Sequence, residues 1–380
     1  MSEERLRELE REQRRRLRAQ RAQARHRRKR RLRAVSNGRL ATSVAIVAAL
    51  VAGGAFSVSG TGGGGRAATT GARASGHREA VRGRDASQGE HAPGAATHSR
   101  SGLPLGQPPL ALTAAPPARR VQASFRHPPR VALLFDLDDG AVLWQRNATR
   151  ELPIASLAKM MTALLVARAL PAAKRVPISR RAVDAQGSKV GLLPLHGRVP
   201  VQTLLYGLLL PSGNDAAVAL AEATAGSVRA FVARMNVEAA RLGLACTRYT
   251  SPDGLDGANS SCAEDLAELA SVDLAEPRIA KVAGSASAVL PFPIKGGRLY
   301  LYNNNPLLRY GYPGATGLKT GETEAAGLCL VGTAERDGVR LGVVLLHSPE
   351  LGRQAEHLLD EGFAAYGLPS KPAPPVPPGR

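Results

Sequence analysis

From Arg130 onward, apolar positions recur with recognisable periods. Val131 to Asp136 reads as a strand, Asp138-Asp139-Gly140 turns it, and Ala141 to Gln145 returns, which makes a hairpin. Apolar residues fall at helical spacing over 156–170, 201–210, 215–225 with a stop at Gly226, and 227–243 with a stop at Gly243. Gly327 to Ala334 reads as a second strand run. Arg336-Asp337-Gly338 turns it, Val339 to Leu346 returns, and 350–366 closes the chain as a helix. A hairpin, a block of helices, then a hairpin and a helix predict an α/β (α+β) fold, with an antiparallel sheet built from both ends of the domain and packed against a helical subdomain. The Asn303-Asn304-Asn305 run reads as turn-forming, and Asp215 and Asp265 read as structural hydrogen-bonding residues.

Upstream the pattern changes. Leu40 to Gly65 carries no charge, and Leu40 to Val58 is apolar enough to span a bilayer, for which about 17–20 residues suffice. Residues 1–39 precede it with 16 Arg and Lys against 5 Glu. That flank places the N-terminus in the cytoplasm and the rest of the chain outside. The domain expectation is therefore a basic cytoplasmic segment (1–39), a transmembrane signal-anchor (40–58), a disordered Gly/Ala/Pro/Arg-rich linker (59–127), a catalytic domain (128–367) and a Pro-rich disordered tail (368–380). A cleaved secretory signal is the alternative to the anchor; either way the domain crosses the membrane.

Charge narrows the function classes. The chain carries a net +20, but residues 130–367 hold 24 basic against 23 acidic side chains. The basicity belongs to the N-terminal third, so no nucleic-acid-binding domain is expected. Three cysteines are too few for a disulfide framework. Cys246 and Cys262 flank a short loop-like stretch and are expected to pair in an extracytoplasmic domain, whereas Cys329 sits in an apolar run as a buried small hydrophobe. His196 and His347 stand without ligand spacing, so neither a metal nor a cofactor is expected.

Three short strings carry the chemistry: Ser156-Leu157-Ala158-Lys159, Ser212-Gly213-Asn214 and Lys319-Thr320-Gly321. Each alone is weak. In this order they match the S-x-x-K, S-x-N, K-T-G set of penicillin-binding proteins and serine β-lactamases. A serine hydroxyl is a poor nucleophile until a base takes its proton. Ser156 and Lys159, three apart, share a helix face, and a lysine can be that base if burial and nearby positive charge lower its pKa.

The contexts are more specific. Leu152 to Ala163, Leu208 to Ala217 and Gly314 to Gly327, with Met235-Asn236 and Pro252 to Leu255 between them, resemble the low-molecular-weight penicillin-binding proteins, the serine-type D-alanyl-D-alanine carboxypeptidases of peptidase family S11. The resemblance covers roughly residues 128–367. It implies the β-lactamase/penicillin-binding transpeptidase-like fold, peptidoglycan stem peptides as substrate, and β-lactams as covalent inhibitors. It implies Ser156 as nucleophile, Lys159 as its base and Ser212 as a proton relay linked to Lys159 or Lys319. Asn214 would bind the substrate backbone, Lys319 would supply a cation near Ser212, Thr320 would bind the terminal carboxylate, and residues 319–322, with Gly321, would form an edge strand that pairs with the substrate. The backbone amides of Ser156 and Glu322 would form the oxyanion hole, and Arg353 would help to position the terminal carboxylate. Glu322 departs from the aromatic residue or histidine often found after the K-T-G.

The rival readings are a β-lactamase, a D,D-endopeptidase and a non-catalytic wall-binding scaffold. The first lacks a clear glutamate-bearing deacylation motif between Ser212 and Lys319, and its second motif would read Ser-Asp-Asn. The intact motifs argue against the scaffold.

Overall fold

The computed structural model describes residues 96–293 and 297–369. The basic segment 1–39, the apolar stretch 40–58, the linker up to residue 95 and the tail from 370 lie outside the described residues. Within them, no single helix is long and apolar enough to cross a membrane.

The chain enters through β1 (Thr113–Ala114) and the hairpin β2 (Val131–Asp136) and β3 (Ala141–Arg146). After the short β4 (Leu152–Pro153) and a 3₁₀ turn, Ala155–Ala158, it builds most of its helices. These are α1 (Lys159–Ala169), α2 (Arg180–Val183, between the paired β5, Arg175–Pro177, and β6, Arg198–Pro200), α3 (Val201–Leu209), α4 (Asn214–Ala225) and α5 (Val228–Arg241). Then come β7 (Ser260–Ser261), α6 (Ala263–Ala275), α7 (Pro277–Ala283) and a hairpin of β8 (Ser287–Pro291) with β9 (Arg298–Tyr302). A short α8 (Pro306–Arg309) leads to β10 (Ala315–Thr323), β11 (Gly327–Arg336), β12 (Val339–Ser348) and the closing α9 (Leu351–Ala365).

Six strands form one sheet in the order β1-β3-β2-β12-β11-β10, antiparallel except where β1 lies beside β3. Strands from both ends of the domain meet at the β2–β12 pair, where Leu133 faces Val344 across the ladder. Every residue of β2 is buried. Val131, Leu133 and Phe135 join the core shared with α1, α4 and α6, whereas Ala132 and Leu134 join the core shared with Leu358, Leu359 and Phe363 of α9. A strand covered on both faces reads as an unbroken apolar run because neither side of its two-residue period meets water. The helix stops fall at glycines as expected: Gly226 (φ 76°) and Gly243 (φ 70°) take left-handed backbone that a side chain disfavours.

The fold begins earlier than residue 128, which corrects the linker expectation for its last part. Thr113–Ala114 adds to the sheet edge, Val121 N–H donates to the Leu143 carbonyl (3.0 Å), and Ala115 and Val121 are buried. Few large apolar residues mark this stretch, so its attachment through backbone ladder bonds left little hydrophobic pattern. Asn305 caps α8 by accepting from Leu307 N–H, and the buried Asp215 accepts from the backbone amides of Val190, Gly191 and Ala216.

Candidate active site

Ser156 sits in the 3₁₀ turn that runs into the N-terminus of α1, where the sequence spacing predicts regular helix. Residues three apart eclipse in a 3₁₀ turn, so the change tightens the Ser156–Lys159 pairing. Lys159 Nζ donates to Ser156 Oγ at 2.8 Å. Ala155, just before the serine, takes a positive φ of 49°, and Ser212 takes 64°. Left-handed backbone at a non-glycine residue costs on the order of 1–3 kcal/mol and collects at functional sites. Here it occurs beside the nucleophile candidate and in the second motif.

Lys159 is fully buried, in the first turn of a helix enclosed by the core. Its ammonium has three donors and three acceptors: Ser156 Oγ, Asn214 Oδ1 at 2.7 Å and the Asp253 carbonyl at 2.7 Å. Burial lowers its pKa to about 7, against a smaller opposing pull from the Asp253 and Asp215 carboxylates. A lysine so placed exchanges its proton near neutrality.

The second motif meets this lysine through Asn214, the first residue of α4, whose Nδ2 donates to the Gln186 carbonyl at 2.5 Å. Both ends of the amide are thus held by the protein, and Asn214 positions Lys159. Ser212 Oγ is buried without a hydrogen-bond partner, so the expected link to Lys159 or Lys319 is absent.

β10 forms one end of the sheet, and the nucleophile turn lies against it. A Cβ added at Gly321 would stand 2.8 Å from the Ile154 carbonyl oxygen and 3.1 Å from Ser156 N. Glycine here brings the backbone of the K-T-G strand up to the serine amide, which is the approach an oxyanion hole from the Ser156 and Glu322 amides requires. The Glu322 side chain itself is exposed. Thr320 is half-buried and pairs with Leu330 in the ladder. Lys319 is buried and donates to the Thr320 carbonyl at 2.7 Å. Burial, and then the charge of Lys159, push its pKa well down. The two lysines therefore compete for charge, which the sequence expectation of a simple cation at 319 did not include.

A loop that sequence reasoning assigned no role completes the site. The Asp253 carbonyl accepts from Lys159 Nζ and, at 3.3 Å, from Ser156 Oγ. Gly254 (φ 78°) packs so closely on the nucleophile turn that a Cβ would stand 1.8 Å from the Ala155 carbonyl oxygen. Ser251, Asp253, Asp256 and Asn259 brace the loop through mutual hydrogen bonds. The Asp253-Gly254 pair marks a turn in the sequence, but a backbone acceptor carries no side-chain signature. Gly254→Ala should displace the turn or the loop, at a cost of about 1–3 kcal/mol in stability. We expect a larger loss in serine acylation than in denaturant midpoint, and equal acylation would contradict the packing role.

Arg353 belongs to the closing helix. It stands on the first turn of α9, its side chain 84% exposed, with Glu350 as ion-pair partner at 3.8 Å. That helix packs on the sheet face opposite α1, and its first turn follows the end of β12 that lies, through Leu328, beside the Glu322 end of β10. Cys246 and Cys262 form a disulfide, and Cys329 is free and buried. The two sulfurs and Asp265 cluster as metal ligands might, but the sulfurs are bonded to each other and Asp265 accepts from Cys246 N–H and Thr247 Oγ1.

Comparison with known proteins gives a consistent set of likenesses. The family model described as D-alanyl-D-alanine carboxypeptidase, Peptidase S11, matches residues 118–350. The D-alanyl-D-alanine carboxypeptidase DacF of Bacillus subtilis is 34% identical over 271 residues, 68% of this chain and 69% of that one. DacB2 of Mycobacterium tuberculosis, also a D-alanyl-D-alanine carboxypeptidase, is 38% identical over 246 residues, 62% of this chain and 83% of that one. Among solved structures, a penicillin-binding protein homologue from Mycobacterium tuberculosis superposes with a TM-score of 0.60 at 36% identity, covering 64% of this chain and 96% of its own. A Streptomyces K15 DD-transpeptidase variant gives 0.59 at 31%, covering 63% and 100%.

Proposed function

This chain belongs to the D-alanyl-D-alanine carboxypeptidase family, peptidase S11, and from that premise we propose how its residues carry the reaction. The activity is that of a serine-type D-Ala-D-Ala carboxypeptidase, a hydrolase acting on peptidoglycan stem peptides. The 2.8 Å contact between Ser156 Oγ and Lys159 Nζ carries the reading. With Lys159 neutral the contact reverses: the hydroxyl donates to the amine and Ser156 attacks the carbonyl between the two D-alanines. The backbone amides of Ser156 and Glu322 face the developing oxyanion, helped by the N-terminus of α1. D-Alanine leaves, and water hydrolyses the ester.

Lys319 and Thr320 receive the substrate's terminal carboxylate. In the free enzyme the charge on Lys159 works against the charge on Lys319. An arriving carboxylate favours the ammonium at 319, and that charge in turn lowers the proton affinity of Lys159. Substrate binding thereby frees the base. The proton that Lys159 takes from Ser156 reaches the leaving amine through the Ser212 hydroxyl, which gives one proton and receives another. Ser212→Ala should cut kcat by about 10²–10⁴-fold. It should leave the unfolding midpoint equal or higher, since a buried unpaired hydroxyl costs about 1–3 kcal/mol. Unchanged turnover would remove Ser212 from the relay.

β-Lactams acylate Ser156 because their amide occupies the same place. The apolar stretch Leu40–Val58 with its basic flank supports a membrane anchor and an extracytoplasmic catalytic domain. The test of the activity is D-alanine release from a D-Ala-D-Ala-terminated muropeptide by the full chain. Release supports the reading. Labelling by a fluorescent penicillin without release would mean a reactive serine with another substrate, such as a cross-link.

A further inference from the structure

We propose that the Cys246–Cys262 disulfide is a positioning element for catalysis, and that its reduction by a dithiol slows Ser156 acylation in the folded enzyme. The inference rests on the serine–lysine reading above. The bond closes residues 247–261 into a loop, with a sequence separation of 16. That loop presents the Asp253 carbonyl to both Lys159 Nζ and Ser156 Oγ, and it seats Gly254 on Ala155. The disulfide thus fixes the base of a clamp whose tip holds the general base and the nucleophile.

The neck of the loop has other ties. Thr247 Oγ1 bonds Ser261 Oγ (2.8 Å) and Asp265 (2.6 Å), and Arg248 and Ser260 exchange two backbone hydrogen bonds (2.9 and 3.0 Å). Each contributes only about 0.5–1.5 kcal/mol net. They keep the fold when the covalent tie is cut, but they allow the loop more freedom. A misplacement of about 1 Å at a catalytic centre can cost about 100-fold in rate.

The sulfurs are unequal. Cys246 is half-buried, whereas Cys262 is fully buried at the N-cap of α6. A dithiol's thiolate attacks Sγ of Cys246 and forms a mixed disulfide. Cys262 leaves as a thiolate at a helix N-terminus, which favours negative charge. The reductant's second thiol attacks its own sulfur in the mixed disulfide and releases Cys246. The dithiol ends as a cyclic disulfide, and the protein has gained two electrons and, at neutral pH, two protons.

The experiment compares oxidised and dithiothreitol-reduced full chain, with free thiols counted under denaturing conditions to establish one and three respectively. Fluorescent-penicillin acylation rates, kcat and KM are measured well below both melting temperatures. The expected result is a cooperative melt in both forms, with acylation and kcat about tenfold lower after reduction. KM should be little changed, since Lys319 and Thr320 sit on the sheet, and reoxidation should restore the rate. Below both melting temperatures the unfolded fraction is negligible, so the lower kcat reports the folded enzyme and not a loss of active molecules. Acylation at the oxidised rate with three free thiols overturns the proposal. If reduction abolishes the melt, the Cys246→Ala, Cys262→Ala double variant is measured in the cold, and parental acylation there overturns it equally. An oxidised chain that no β-lactam labels would refute the serine reading itself, and the clamp with it.

Discussion

Ser156→Ala should abolish penicillin labelling and reduce D-alanine release to background. The serine oxygen is the atom that bonds to the substrate, and no other hydroxyl can replace it in place. Ser212 Oγ, the other serine of the motifs, makes no hydrogen bond to Lys159. Removing the nucleophile of a covalent serine hydrolase costs on the order of 10⁶ in kcat. The fold should survive, because Ser156 Oγ makes only the Lys159 and Asp253 contacts and the turn is held by Ile154, Gly254 and Gly321 packing. A variant with a parental melting profile and residual labelling above background would contradict the assignment.

Lys159→Met should lower acylation by about 10²–10⁴-fold, the range of a positioned proton transfer. Methionine keeps the length of the chain and removes the amine. The parent's pH profile supplies the independent sign. The base must be neutral, and burial lowers Lys159 from 10.5 to about 7. The neutral fraction grows as pH rises through about 7, so acylation should climb across that interval and then level off. Its stability effect has the same direction: the unfolded lysine binds more protons than the buried one between about 7 and 10.5, so the Lys159 contribution to stability rises with pH there. Acylation that falls as pH rises from 6 to 8 would mean that the ammonium form is required. In that case Lys159 would act as a charge and not as a base.

Much of this site was legible because its signals are side-chain identities at fixed spacing. Ser156 and Lys159 meet as their three-residue separation implies, although a 3₁₀ turn brings them together in place of a regular helix. The sheet was legible because the two-residue period of β2 and β12 is apolar on both faces. What stayed hidden depends on backbone. The Asp253 carbonyl that completes the lysine's shell belongs to a turn that any sequence with Asp-Gly could form. Gln186 likewise holds Asn214 through a main-chain oxygen, and so supports the amide that accepts from Lys159. The place of Arg353 depends on strand register, which sets the first turn of α9 beside the Glu322 end of the sheet. Residues 96–127 looked like tether because their attachment to β3 uses ladder bonds and small residues.

The central claim is an acyl ester on Ser156, and mass spectrometry of the trapped intermediate tests it most directly. The full chain and its Ser156→Ala variant would be incubated with benzylpenicillin at neutral pH, quenched in acid, weighed intact and then mapped by proteolysis. The account predicts one penicilloyl adduct on the parent, located on the peptide that carries Ser156-Leu157-Ala158-Lys159, and none on the variant. An adduct on any other residue, or equal adducts on both proteins, would contradict it.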